Sequence, residues 1–367
     1  MANYKFIVSG GGTGGHIFPA LSIADGLRER FPGCEILFVG AEGKMEMEKV
    51  PAAGYRITGL PVAGFHRGEI WRNLSFIPKL ISSMLKAKRV VKNFKPDVVI
   101  GVGGYASGPV LRVAAGLGIP TVLQEQNSFA GVTNKILGKK ANKICVAYDN
   151  MDRFFPKEKI VFTGNPIRKD LGLITPRSAE ACEYFKISTG QPVILVVGGS
   201  LGARTLNQSM LANLELIRRS DVVFIWQTGK YYFKDIEPQL AADPVSNIRL
   251  MEFIPRMDLA YSISDLVISR AGAGTISELC MVEAASILVP SPNVAEDHQT
   301  FNAMSLVGKQ AAIMVKDGSA VKELIPAALT LVENKGKCEE LSQNIKRLAT
   351  PKATEHIVDV IASLLKN

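Results

Sequence analysis

Two glycines, a glutamate and a glutamine stand at 272, 274, 278 and 299, within the stretch RAGAGTISELCMVEAASILVPSPNVAEDHQTFN that covers residues 270–302 of this 367-residue chain. The glycines follow a short apolar run at 266–269 and precede a helical pattern from Thr275. Strand, glycine turn and helix in that order turn the helix's N-terminal N–H groups and positive dipole end toward the turn, which suits a phosphate. Glu278 sits one turn into the helix, where its carboxylate can accept the two hydroxyls of a ribose attached to that phosphate. A second apolar run at 287–289 is broken by Pro290 and Pro292, and Glu296-Asp297-His298-Gln299 opens another helix. Glycine turns alone occur in any doubly wound domain. An acid and an amide at adjacent strand ends are more telling, because open parallel sheets bind ligands there.

Similar turns recur along the chain. A strand at 4–9 runs into Gly10-Gly-Gly-Thr13-Gly14-Gly15-His16, followed by a helical pattern at 17–30 with Pro19 in its first turn. The glycines let the backbone approach an anion. They are too dense for a dinucleotide fingerprint, and no acid ends the next strand at 36–39, so no nicotinamide, flavin or other cofactor is expected. His16 closes the loop at a strand end, and histidine's ordinary pKa of about 6.5 suits a general base near neutral pH. A helix-capping or packing role is the alternative. Further strands at 55–60, 97–101, 121–123, 143–146 and 160–162 lead into Gly103-Gly104-Tyr105-Ala-Ser-Gly108, Glu125-Gln126-Asn127 and Gly164-Asn-Pro-Ile-Arg168.

These units read as α/β, two doubly wound Rossmann-like domains facing across a cleft. The first domain is residues 1–164. The second is 165–352, opening with a looser linker to about 190. Its strands at 192–197, 222–226 and 247–250 precede Gly198-Gly-Ser200-Leu-Gly-Ala203, Gln227-Thr-Gly229 and Phe253-Ile254-Pro-Arg256. Final helices span 320–348, with a break near 334–337, and 353–365, and the helix in 353–367 is expected to pack back on the first domain. Five scattered cysteines without a CxxC support neither a disulfide framework nor a zinc site.

The net charge of +9 is unevenly held: residues 1–164 carry 22 Lys+Arg against 12 Asp+Glu, and the remainder 21 against 22. A basic half suits nucleic acid, an anionic membrane or an anionic substrate. No nucleic-acid module or basic–aromatic alternation is present, so nucleic acid is not an expected partner. Residues 65–95 mix Phe65, Ile70, Trp71, Leu74 and Phe76 with Arg67, Arg72, Lys79, Lys86, Lys88, Arg89, Lys92 and Lys95. Ile77, Leu80, Ile81, Met84 and Leu85 recur at helical spacing and read as a core-facing stripe. The apolar–basic segment then reads as a docking face for an anionic bilayer, centred on Phe65, Ile70, Trp71, Arg72, Phe76 and Lys79, or as an ordinary helix with a solvated basic face. No apolar run is long enough to span a bilayer and no signal peptide is evident, so a cytosolic protein is expected.

The ordered set GGGTGGH, GGYASGP, EQN, GNPIR, GGSLGA, RAGAGTISE and EDHQTFNA resembles the two-domain GT-B type glycosyltransferases, and within them the UDP-N-acetylglucosamine transferases of peptidoglycan assembly. The resemblance covers nearly the whole chain. It implies inverting transfer of N-acetylglucosamine from UDP-N-acetylglucosamine to the 4-hydroxyl of N-acetylmuramic acid in lipid I, giving lipid II and UDP. It implies donor contacts at Thr13, Gly14, Gly15, Asn127, Arg168, Ser200, Ile254, Ala273, Gly274, Thr275, Ile276, Ser277, Glu278 and Gln299, with Ile254 on the uracil and Gln299 on the sugar. Gly103, Gly104 and Tyr105 are assigned to the acceptor, and His16 with Asn127 to catalysis. It further implies peripheral attachment to the cytoplasmic face of the bacterial inner membrane, alongside other cell-wall synthesis proteins. Leu201 departs from the pattern, since relatives often carry Gln there, and residues 281–286 lack the usual glycine-containing turn. Glycine turns at helix N-termini can stabilise a departing diphosphate without a metal, and no DxD-like carboxylate pair is present; Asp149 and Asp152 read as surface residues. Two alternatives share these motifs: an epimerase or glycolipid synthase of the same fold, and a non-catalytic UDP-sugar binding protein.

Overall fold

The structure, a computed structural model, describes residues 3–62, 76–167, 171 and 174–365, with the side chains of Phe76 and Ala295 outside that description. The chain forms two compact units, Met1–Arg168 with Lys352–Asn367, and Lys169–Pro351.

In the first unit β1 (Lys5–Gly10), β2 (Glu35–Ala41), β3 (Arg56–Leu60), β4 (Val98–Gly103), β5 (Thr121–Glu125), β6 (Lys143–Val146) and β7 (Ile160–Phe162) pair in parallel, in the order β3-β2-β1-β4-β5-β6-β7. The connecting helices are α1 (Gly14–Arg30), α2 (Glu46–Ala52), α3 (Phe76–Phe94), α4 (Ser107–Gly116) and α5 (Val132–Gly138). Helices on both faces bury the strands from either side, which is why β4 carries no polar side chain and β1 holds the unbroken apolar run Phe6-Ile7-Val8 rather than an alternation. Phe6, Val8, Phe38 and Ile100 pack on Ile17, Ile23 and Leu27 of α1, and on Ile357, Val358 and Ile361 of α15 (Ala353–Ala362). On the opposite face Ile7, Val99 and Leu123 meet Val110 and Leu111 of α4 and Ala87 and Val91 of α3.

The second unit repeats the plan. Its strands β8 (Val193–Val197), β9 (Val223–Gln227), β10 (Ile248–Met251), β11 (Leu266–Ser269), β12 (Ser286–Leu288) and β13 (Ile313–Met314) run parallel in the order β10-β9-β8-β11-β12-β13. Around them lie α6 (Ala179–Phe185), α7 (Arg204–Ala212), α8 (Leu214–Arg218), α9 (Phe233–Ala242), α10 (Met257–Ile263), α11 (Ala273–Met281), α12 (His298–Val307), α13 (Ala320–Glu333) and α14 (Lys335–Lys346). Each sheet starts near its middle, winds outward and then jumps back, so the strand order reverses between β1 and β4 in one unit and between β8 and β11 in the other. Those reversals are where open α/β sheets form a crevice at the strand C-termini.

Four expectations are corrected. Of the expected stripe only Met84 packs on the core: Ile77, Leu80, Ile81 and Leu85 are 65%, 40%, 56% and 65% exposed, and α3 packs through Ser83, Ala87 and Val91 beside Met84. Small residues let the helix approach the sheet, and the larger apolar ones are left on its flank. α1 begins at Gly14, so Pro19 lies in the second turn rather than the first, where it deprives the Gly15 carbonyl of its helical donor. The looser segment after 165 contains α6, whose Ser178 side chain accepts from Ala181 N–H as an N-cap. β5 runs on to Glu125, two residues beyond the apolar run.

Candidate functional site

In the first unit the loops after β1, β4 and β5 meet at the strand-order reversal. Gly103 and Gly104 have φ of +100° and +87°, a region that favours glycine. A Cβ on Gly104 would collide with the Gly11 carbonyl, and one on Gly103 would lie 2.6 Å from His16 Cδ2 and 2.8 Å from His16 Nε2. The two glycine loops are thus in backbone contact, with the imidazole lying across Gly103. His16 Nδ1 is 3.2 Å from Thr13 Oγ1, and the Thr13 carbonyl accepts the N–H groups of His16 and Ile17. Buried Ser107 ties the loops further, donating 2.7 Å to Ser9 O with Gly103 O at 2.8 Å. Tyr105 projects outward, half exposed.

Beside them stands Glu125, an acid in the sheet interior. Its Oε1 accepts the backbone and side-chain N–H groups of Asn127 at 3.1 and 3.2 Å, while Oε2 accepts from Gly131 N and Asn134 Nδ2 at 3.2 and 2.9 Å. Burial pushes this carboxyl above the usual carboxylate range, and the bonds from Asn134, Asn127 and Gly131 pull it back only in part. Asn127 is therefore oriented by a fully enclosed partner. Buried Asn165 donates to Gln126 O and accepts from Gln124 Nε2, while Gln126 donates to Val102 O and Gln124, so EQN and the asparagine of GNPIR form one network.

In the second unit the loops after β8 and β9 touch backbone to backbone: Gly202 and Gly229, at φ +91° and +82°, have no room for a Cβ against Thr228 O and Gly202 N respectively. Gln227 bridges the loops, donating to Gly199 O and accepting from Ile254 N, both at 3.0 Å. Ile254 is wholly buried, its side chain in the core and its N–H taken by Gln227. Ser200 is exposed on the β8 turn.

On the other side of the reversal, Gly272 in extended conformation caps α11 and Ala273 begins it. Residues 273–278 form the helix's first turns, with Ala273 and Ile276 buried and Gly274, Thr275, Ser277 and Glu278 partly exposed. Tyr261, on α10, donates 3.1 Å to Glu278 Oε2 and so fixes the carboxylate. Arg270 faces the scaffold: it donates to Val289 O at 3.0 Å and pairs with Asp317 Oδ1 at 2.5 Å, while Asp317 Oδ2 accepts from Thr205. Gln299 lies one residue into α12, and its Oε1 accepts Ser291 N–H at 2.8 Å, which turns the amide nitrogen outward as the donor end. Glu296 and Asp297 both hold positive φ just before α12, a strained turn of the kind that functional loops retain.

The first unit thus assembles Thr13, Gly14, Gly15, His16, Gly103, Gly104, Tyr105 and Asn127, and the second assembles Ser200, Ile254, residues 273–278 and Gln299. Arg168 and the docking candidates Phe65, Ile70, Trp71 and Arg72 lie outside the described residues, and only the backbone of Phe76 lies within them. Sequence reasoning missed Glu46, Tyr261 and Asp317 as organisers of these loops. The polar residues ending β5 and β9, Glu125 and Gln227, were the accessible signal for two others.

Comparison with known proteins follows the same division. Residues 6–146 match the glycosyltransferase family 28 N-terminal domain, and residues 193–357 the glycosyltransferase family 28 C-terminal domain. The chain is 54% identical, over 100% of its length and 99% of the relative's, to a UDP-N-acetylglucosamine–N-acetylmuramyl-(pentapeptide) pyrophosphoryl-undecaprenol N-acetylglucosamine transferase of Parabacteroides distasonis. A transferase of the same name from Bacteroides fragilis is 54% identical over 98% of this chain and 95% of its own. Among solved structures, Acinetobacter baumannii MurG is similar with a TM-score of 0.78 at 31% identity, covering 98% of this chain and 99% of that one. A UDP-N-acetylglucosamine 2-epimerase, at 14% identity, TM-score 0.65 and coverage of 98% and 96%, shares the fold alone.

Proposed function

Because the chain belongs to glycosyltransferase family 28, we propose that it transfers N-acetylglucosamine from UDP-N-acetylglucosamine to the 4-hydroxyl of N-acetylmuramic acid in undecaprenyl-pyrophosphoryl-MurNAc-pentapeptide (lipid I), forming lipid II and UDP. The observation that carries this is identity of 54% along the full length to transferases of that name. The epimerase shares the architecture without such identity, so the fold by itself does not select the reaction. A soluble lipid I analogue tests the reading: UDP release should require the analogue and match its glycosylation. Epimerised sugar formed without an acceptor, or UDP binding with no turnover, would each replace it.

The donor is held by the second unit. Glu278 accepts the ribose hydroxyls, the N-terminal turn of α11 and the β8 turn at Ser200 face the diphosphate, Ile254 lies at the uracil, and the Gln299 amide nitrogen donates to the sugar. Thr13, Gly14, Gly15, Asn127 and Arg168 add donor contacts from the first unit, and Gly103, Gly104 and Tyr105 serve the acceptor. In the transfer the acceptor O4 attacks the anomeric carbon as its proton passes to His16 and the bond to the diphosphate breaks, inverting the centre. For His16 to act as the base its lone pair must stand on Nε2, which lies over Gly103, and this requires the tautomer whose Nδ1–H donates to Thr13 Oγ1, 3.2 Å away.

Attachment to the membrane is through α3. Among the described residues no helix is long and apolar enough to cross a membrane. Ile77, Ile81 and Leu85 instead form an exposed row that Lys88 and Lys92 continue at helical spacing, with Arg89 beside them. Lys79 is exposed at the start of the same helix and stays a candidate, whereas Lys86 is paired with Glu42 at 2.7 Å and so is partly occupied. Reversing Lys88, Arg89 and Lys92 to Glu should therefore reduce co-sedimentation with phosphatidylglycerol vesicles by about 1 kcal/mol per residue, more at low salt, with the soluble acceptor still turned over. Unchanged sedimentation would remove α3 from the docking surface.

A further inference from the structure

Glu46 opens α2, yet its side chain is turned inward and has no solvent exposure. Oε1 accepts the N–H of Ala41 at the end of β2, and Oε2 accepts the N–H of Gly12 in the β1–α1 loop, both at 2.9 Å. The carboxyl group occupies the space a Cβ on Gly11 would need, and a Cβ on Gly40 would stand 2.6 Å from Glu46 Cγ. Gly11 and Gly40 are thus glycines because this side chain lies against them. That changes the reading of the loop: the Gly12 N–H is committed to a carboxylate, and an acid beneath the backbone disfavours a second anion there.

From Gly12 the chain passes directly to Thr13, whose carbonyl accepts His16 N–H at 3.1 Å and whose Oγ1 lies 3.2 Å from His16 Nδ1. We propose that Glu46 is a positioning residue for the transfer, holding the loop after β1 in the one conformation that presents the His16 ring across Gly103. The role rests on His16 taking the acceptor proton. Two bonds to one enclosed carboxylate are suited to it, because giving up either oxygen leaves a backbone N–H without its partner, that of Ala41 buried and that of Gly12 part-buried.

Glu46→Gln keeps the volume but sets an amide N–H against one of the two donors. Its kcat with a soluble acceptor analogue should fall by about 10- to 100-fold, the scale of a small misplacement of a reacting group, with calorimetric UDP affinity retained. Because Glu46 acts through His16, the same change made in a His16→Ala background should cost no further activity. Wild-type kcat in Glu46→Gln, or an equal fractional loss in both backgrounds, overturns the proposal. His16→Ala with wild-type kcat would instead bring down the base assignment and this inference with it, a distinguishable result. Should Glu46→Gln not fold, Glu46→Asp keeps the charge and withdraws it by one methylene; a several-fold loss confined to the His16 background supports the role, and an undiminished kcat overturns it.

Discussion

His16→Ala is expected to lower kcat by about 10²- to 10⁴-fold while UDP affinity stays within a few-fold of wild type, because a general base acts in the transition state and contributes little to donor binding. The placement supports this choice over the other histidines. His16 is partly exposed at the strand-order reversal, its ring held between Thr13 Oγ1 and Gly103. His298 opens α12 next to the amide assigned to the donor sugar, His356 is exposed on α15, and His66 lies outside the described residues. Asn127, oriented by Glu125, is expected to give a smaller kcat loss, as a residue that positions the acceptor without taking its proton. The measurement is the pair of kcat and calorimetric UDP affinity. Near wild-type kcat would eliminate the base role, and parallel collapse of both would make His16 a donor-binding or structural residue.

The inner strands were legible in the sequence because burial on both faces leaves them as apolar runs: β6 and β11 span the residues expected, and the edge strand β7, only partly buried, was marked by its apolar Ile160-Val161-Phe162 run alone. β5 was read two residues short because Gln124 and Glu125 are polar, and only the folded chain shows their groups satisfied inside the sheet. β13, two residues long beside β12, is too short to carry a period. For α3 the periodicity located the apolar stripe but not the side that meets the sheet; Ser83, Ala87 and Val91 offer less apolar surface than Ile77, Ile81 and Leu85, yet pack more closely. The glycine turns of the site were visible as motifs. What holds them was not, because the ties run between distant residues: Gly12 to Glu46 across 34 positions, Ile254 to Gln227 across 27, Glu278 to Tyr261 across 17. A side chain's partner at such separation is a property of topology, and no local pattern encodes it.

That last tie shapes the expectation for Glu278→Ala, which should weaken UDP binding by about 1–3 kcal/mol, the scale of removing a charged hydrogen-bond partner. Glu278 is partly exposed, one and a half turns into α11, and Tyr261 O–H donates to its Oε2 at 3.1 Å, so the carboxylate meets a ligand already oriented rather than as a free rotor. Preorganisation of this kind lowers the cost of binding without adding a contact. Tyr261→Phe should therefore weaken UDP in the same direction but by less than Glu278→Ala, since the acceptor oxygens remain and only their orientation is lost. The ribose hydroxyls supply an internal check. Wild type should bind UDP more tightly than its 2′,3′-dideoxy analogue, and the Glu278→Ala protein should discriminate little between the two, because the group that reads those hydroxyls is gone. Equal calorimetric affinity of wild type and Glu278→Ala for UDP would sink the ribose assignment. Undiminished discrimination in Glu278→Ala would place the hydroxyl-reading group elsewhere in the second unit.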